Sequence, residues 1–400
     1  MFYRLKNTIQ HYSWGSRTFI PELLGKSSPA ENPWAELWMG DHPRAPSRAI
    51  TPEGEIPLSR LIHLDPRGML GEGKADTLPF LFKVLAAAHP LSIQAHPNLD
   101  QARKGYAREN AAGISPDAFQ RNYKDPYHKP ELICALTPFE ALSGFRGPGE
   151  IADLMTYLEI DREIPGGKIF LKNPTPDSLR DIFSNLLNLT GGKKSRLLAH
   201  LSLMVSRTQA RSREEKLAFD WILKLRTLYP DDIGILAPVL MNTLCLQPGE
   251  ALYMSAGVLH AYLDGSGIEI MANSDNVLRG GLTAKHMDIP ELLKSLSFAG
   301  GPVQIIRPES ADGIEFIYPT PAREFQLSRI ELTGTNSFIT DKRDGGEIIL
   351  CLKDRGRISA KAFDQTLEFK KGEAIFIPFK TGNYSLRGTG TLFCAATPKK

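Results

Sequence analysis

Four side chains at the edges of apolar stretches are of types that hold a metal ion. They are Gln94 and His96 in LSIQAHP (91–97), Glu131 in HKPELICAL (128–136) and His260 in GVLHAYL (257–263). Gln94 and His96 stand two apart in a predicted strand, so both leave it on one face. An ordinary capping histidine ahead of a proline would look the same. Glu131 leads into an apolar run behind a polar turn that holds His128 and Lys129. A carboxylate there is costly unless it is paired or bound to a cation, although a salt-bridged surface turn also fits. Past His260 come Asn273, Ser274, Asp275 and Asn276, then Arg279-Gly280-Gly281 and Lys285. Such a cluster running into a glycine-flanked arginine points to a small-molecule site rather than a solvated loop. The four would offer two imidazoles, a carboxylate and an amide oxygen. That set suits zinc, and also Fe(II), Mn or Co, and spacing alone leaves open whether they converge.

The elements that must position these residues change texture along the chain. In the first 145 residues or so, PFLFKVL (79–85), LSIQA (91–95) and ELICALT (131–137) read as buried strands between turn signals. NLDQARKGYAREN (98–110) reads as a short helix plus loop. After Gly147-Pro148-Gly149 the apolar spacing becomes helical, first in EIADLMTYLEI (150–160) and again across 193–229, where internal Pro and Gly are absent. Residues 150–232 therefore read as a helical insertion. Strand texture returns from Pro238 in QPGEALYMSAGVLHAYL (247–263), GIEIMANSD (267–275), GGEIILCLK (345–353) and GEAIFIPF (372–379). PGEALYMSAGVLHAYL (248–263) aligns without gaps on KGEAIFIPFKTGNYSL (371–386), which is plausible as a jelly-roll repeat. Asn383 occupies the position of His260 in the second copy. Chance likeness between two β-turns is the alternative.

Composition bounds the rest. Four hundred residues, 42% hydrophobic and 23% charged, describe an ordinary globular chain of two or three units. A net charge of +3 argues against a dedicated nucleic-acid binder. No apolar run nears the roughly 20 residues of a membrane span, and the first residues lack a secretory signal pattern. Cys134, Cys245, Cys351 and Cys394 form no CxxC pair, so neither a disulfide framework nor a thiolate zinc site is expected. The expectation is a cytoplasmic monomer with no nucleic-acid or membrane partner.

Several motifs, in order, resemble those of type I phosphomannose isomerases: HYSWGS (11–16), ELWMGDHP (36–43), LPFLFKVL through LSIQAHP (78–97), YKDPYHKPEL (123–132), GVLHAYL (257–263) and NSDNVLRGGLT (273–283). The resemblance spans most of the chain. It implies a mainly β fold with a helical insertion. A cupin (jelly-roll) catalytic domain would be built from 1–149 and 233–305, interrupted by the helical domain 150–232. A cupin-like β domain over 306–400 would follow. It implies one zinc ion per chain held by Gln94, His96, Glu131 and His260. It makes Arg279 the active-site arginine, with Lys285 and Ser92 helping to hold a phosphate. Tyr127 stands where the family usually has Asn, and Ala284 where Pro is common, which implies altered pocket detail with the ligands intact.

The implied reaction interconverts mannose 6-phosphate and fructose 6-phosphate through a cis-enediol, feeding mannose metabolism and GDP-mannose synthesis. Lys129 and His128 rank ahead of Asp275 as the catalytic base. Trp14 and Trp38 read as core or pocket wall. A cupin Fe(II) oxygenase and a non-enzymatic sugar-phosphate-binding relative are the alternatives. The first fits less well with Gln94 as a fourth ligand, and the second would be expected to lose a ligand or the arginine.

Overall fold

A computed structural model describes residues 1–73, 76–340 and 343–398. Its strands gather into two antiparallel sheets. The first is organised around one long strand, His260–Ala272. The far half of that strand pairs with Phe80–Ala87 on one side and Glu131–Ala135 on the other. Both partners are buried throughout, as continuous apolar runs require. Beyond them, Glu36–Met39 and Thr8–Gln10 extend one edge, and Ala251–Met254 the other.

The near half of the long strand belongs to a different layer. His260 to Asp264 pair with Phe139–Phe145, which in turn pairs with Met241–Leu246. His260 also faces Gln94 in the short strand Ile93–Ala95, itself paired with Leu278–Gly281. The sequence suggests two strands parted by Asp264-Gly265-Ser266, yet the chain runs through as one. Gly265 makes this possible. Its φ of 114° is open to glycine, and an added Cβ would lie 2.5 Å from the Pro138 carbonyl oxygen. The strand bends there and serves both layers. Leu85, Ile133 and Leu252 from one layer meet Phe139, Ala141 and Leu246 from the other in a shared core.

The helical stretch comprises Pro148–Tyr157, Gly167–Lys172, Pro176–Leu187, Gly191–Arg207 and Arg213–Leu228. Thr175 and Ser212 cap two of these by accepting from the amides of Ser178 and Glu215. Their apolar stripes pack onto Ile93, Leu142, Leu259 and Leu278 of the sandwich. Each large side chain so buried contributes about 1.5–3 kcal/mol, so the insertion braces the strands that carry Gln94, His260 and Arg279.

The second sheet runs in the order Glu315–Tyr318, Gln326–Thr333, Ser385–Ala396, Glu347–Cys351, Ala374–Ile377, Tyr3–Lys6, Arg48–Thr51, Gly54–Pro57. The first strand of the chain is thus an interior strand beside nearly the last. The two aligned segments adopt the same turn. Gly249 and Gly372 have φ of 89° and 85°, and Glu250 and Glu373 each accept from the amide three residues earlier. Among the described residues no helix is long and apolar enough to cross a membrane.

Candidate metal centre

Glu131 opens its strand opposite Met271 and Met254, and only 2% of its surface is exposed. An isolated charge so placed would cost several kcal/mol. Lys129 Nζ lies 2.9 Å from its Oε1. On the other oxygen, His96 Nε2 and His260 Nε2 both lie 3.2 Å from Oε2. Burial works to raise the Glu131 pKa, yet Lys129 and the imidazoles hold it well below the usual carboxylate range.

Both rings are oriented through Nδ1. His96 Nδ1 lies 2.7 Å from the Asn276 carbonyl, and His260 Nδ1 lies 2.9 Å from that of Val258. A carbonyl only accepts, so each Nδ1 carries the proton and each Nε2 presents a lone pair. Burial, with Lys129 and His260 adding to it against the pull of Glu131, holds the His96 pKa down to about 4, which keeps the ring neutral. Three acceptors, the two Nε2 atoms and Oε2 of Glu131, therefore face one another without hydrogen-bond partners. Such groups lie within 4.8 Å of one another. Lone pairs crowded together out of water repel unless a cation sits among them, so this donor set fits a metal ion.

Gln94 joins by register. It is the cross-strand partner of His260 on one side and of Arg279 on the other, and directly opposed residues share a face. Arg279 is half-buried, makes no ion pair among the described residues, and its Nε lacks a hydrogen-bond partner. Burial alone lowers its pKa. At the exposed rim, the Lys285 pKa is lowered by desolvation and then by Arg279, Lys124 and Arg44. Four cations thus act on one another, and among the described residues only Arg44 of the four makes an ion pair, 2.8 Å from Asp275. Ser92 immediately precedes the Gln94 strand.

The remaining sequence candidates are engaged elsewhere. His128 Nε2 lies 2.7 Å from Glu324 Oε1, and Asp275 also stands 3.6 Å from His42 Nε2. Of the three suggested bases, only Lys129 touches the buried carboxylate.

Sequence reasoning passed over a second buried network. Lys83 Nζ lies 2.8 Å from Glu269 and 3.5 Å from Glu36. Tyr262 donates to Glu269 at 2.9 Å, and Trp38 Nε1 donates to Glu36 at 2.7 Å. Burial opposes the charge of Lys83, but the two carboxylates hold its pKa above the ordinary value, with Glu131 contributing at longer range. The signal was present in the sequence as the lone charges in FLFKVLAA and GIEIMA, which become cross-strand partners.

A jelly-roll sandwich with a two-histidine, one-carboxylate centre between its layers defines a metal-dependent enzyme of the cupin class. Models of the type I phosphomannose isomerase catalytic domain and helical insertion domain match residues 2–148 and 161–241. Mannose-6-phosphate isomerase of Escherichia coli (strain K12) is 41% identical over 394 residues, covering 97% of this chain and 98% of the relative. Two solved structures cover each chain fully at 39% identity and TM-score 0.92. One is a zinc-bound mannose 6-phosphate isomerase, and the other is the Salmonella typhimurium enzyme bound to fructose 6-phosphate and zinc. The chain belongs to the type I phosphomannose isomerase family.

Proposed function

We propose that this chain is a zinc-dependent aldose–ketose isomerase that interconverts mannose 6-phosphate and fructose 6-phosphate. The observation carrying this reading is the trio of buried acceptors without hydrogen-bond partners on His96, Glu131 and His260, with Arg279, which makes no ion pair among the described residues, in register with them through Gln94. Gln94, His96, Glu131 and His260 would hold one zinc ion per chain. When bound, zinc supplies Lewis-acid stabilisation to the oxygens on C1 and C2. Arg279, Lys285 and Ser92 hold the phosphate, which lies away from the reacting carbons and orients them.

The proton chemistry falls to the turn before Glu131. A base removes the C2 proton, the C–H pair becomes the C1–C2 double bond, and the carbonyl pair moves to O1, which gains a proton. The cis-enediol then loses the O2 proton, C2 becomes the carbonyl, and C1 takes up a proton. Lys129 is the first candidate for the carbon-to-carbon transfer, supported by its position 2.9 Å from the ligand Glu131, and it takes the C2 proton only as the neutral amine. His128 and Asp275 follow. Arg44 and Lys124 raise the positive potential where the anionic substrate enters.

The same reading divides the chain into a catalytic unit (1–149 and 233–305), a helical insertion (150–232) and a C-terminal β unit (306–400). It places the chain in the cytoplasm as a monomer with a small-molecule partner. The test is fructose 6-phosphate formation from mannose 6-phosphate before chelation, after it, and with zinc restored. Loss on chelation and recovery with zinc are expected. An inactive zinc-loaded protein that instead retains iron and consumes oxygen would overturn the proposal.

A further inference from the structure

Resting on that reading of the metal centre, we propose that Asn276 is a positioning residue for two parts of the site at once. It fixes the ring of the ligand His96, and it fixes the turn that carries Lys129 and Glu131. Asn276 is fully buried. Its main-chain carbonyl accepts from His96 Nδ1 at 2.7 Å. Its side chain does the work of a missing strand. Oδ1 accepts from the amides of Lys124 and Asp125 at 2.7 and 3.3 Å. Nδ2 donates to the carbonyls of Asp125 and Tyr127, both at 2.8 Å, and to Asp125 Oδ1 at 3.2 Å.

Asp125 returns the connection from the other side. Its carboxylate accepts from Ser274 Oγ and the Asp275 amide, each at 2.8 Å, and from the Tyr127 amide at 3.0 Å. Segments 124–127 and 274–276 are therefore laced by side chains where no backbone ladder joins them. The first leads in two residues to Lys129 and in four to Glu131, and the second leads in three to Arg279. One residue thus sets the register between a ligand imidazole, the ligand carboxylate with its lysine, and Arg279. A metal ligand's hydrogen-bond partner ordinarily tunes affinity in this way. What is particular here is that the partner's own side chain controls the loop bearing another ligand.

Asn276→Asp tests this. It keeps shape and the main-chain carbonyl, but sets an oxygen against the three acceptors that Nδ2 now serves. We expect zinc affinity, read by competition with a chromophoric chelator, to weaken about 10–100-fold. The visible spectrum of the cobalt-substituted protein should change. At saturating zinc, kcat should fall about 10-fold or more from misplacement, with KM moving less than about threefold. A folded variant with parental zinc affinity and cobalt spectrum overturns the proposal. If Asn276→Asp fails to fold, Asp125→Asn carries the same reading: a weakened zinc site supports it, and a lower melting temperature with unchanged zinc affinity overturns it. A parent protein without zinc-dependent isomerase activity would sink the functional reading instead, so the two failures are distinguishable.

Discussion

Gly249-Glu250-Ala251 and Gly372-Glu373-Ala374 enter their strands by the same left-handed glycine and the same carboxylate-to-amide turn. The first leads to a buried His260 whose Nε2 lacks a partner, whereas the second leads to an exposed Asn383. The arginines of the two regions differ in the same way. Arg343, 7% exposed, donates to the carbonyls of Pro378, Gly382, Gly345 and Ile377 and pairs with Glu347 at 3.1 Å. Nε of both arginines lacks a hydrogen-bond partner, but that of Arg343 faces the Glu347 carboxylate, whereas Arg279 makes no ion pair among the described residues. A scaffold can repeat while its chemistry does not. Polar groups satisfied by their own chain hold the fold, and those left unsatisfied await something from outside.

Breaking the unsatisfied set should produce the largest effect. Glu131→Gln keeps the shape and removes the charge, so zinc content by elemental analysis should collapse and activity fall by roughly 10³-fold or more. Full metal occupancy in that variant would remove the ligand assignment. The two arginines should then separate cleanly. Arg343→Met removes the counter-ion of buried Glu347, leaving it the Tyr384 hydroxyl at 2.8 Å, and should cost about 3–5 kcal/mol of stability in urea unfolding, with KM and kcat of the folded fraction retained. Arg279→Gln should leave the unfolding midpoint near the parent value and lower kcat/KM by about 10–100-fold through lost charge-assisted hydrogen bonds. If the two variants exchange these phenotypes, the contrast is wrong.

Acid should bear more heavily on the region of the metal centre. Burial holds both His96 and His42 down to about 4, in the latter case against the pull of Asp275. Unfolded histidine titrates near 6.5, so between those values the unfolded chain binds two protons that the fold refuses. Asp41, pushed up to about 6 by burial, works the other way with one proton. The net is one proton favouring the unfolded chain. The metal-free protein should therefore lose stability as pH falls from about 6 to 4, by roughly 1.4 kcal/mol per unit from these three groups. Chelated protein unfolded in urea at several pH values would show it, and a midpoint rising on acidification would refute it. The smallest effects lie in the shared turn. Gly249→Ala should cost about 1–2 kcal/mol, because its Cβ meets only the movable end of Arg329 at 3.1 Å. Gly372→Ala should cost more, because its Cβ would lie 2.6 Å from the Leu23 carbonyl oxygen. Melting temperatures of the pair check the order.

Much of this was legible beforehand, for identifiable reasons. Buried strands such as Phe80–Ala87 announce themselves as apolar runs, and Gly191–Arg207 and Arg213–Leu228 by helical spacing without interruption. The types of His96, Glu131 and His260 were visible, but their meeting was not, since it depends on pairings across more than a hundred residues. The continuity of 260–272 was not legible, because a glycine such as Gly265 that bends a continuing strand looks locally like one that ends it. Lys83 and Glu269 were passed over because each is a lone charge until the register opposes them. Asn276 was visible only as one member of the polar cluster 273–276, since its particular importance lies in what it holds rather than in what it is.

The placement of Tyr3–Lys6 between Ala374–Ile377 and Arg48–Thr51 bears on biosynthesis. The third residue leaves the ribosome long before its neighbour at Phe376, a wait of tens of seconds at about 5–20 residues per second. Through that interval Tyr3–Lys6 and the hairpin beyond it present an unpaired edge, the kind of surface on which nascent chains adhere to one another. Only Asn7 separates this strand from Thr8–Gln10 of the catalytic sandwich. Ala374–Ile377, synthesised late, therefore completes a seam that begins beside the first layer of the enzyme, so a ribosome that stalls before it leaves Tyr3–Lys6 without that partner.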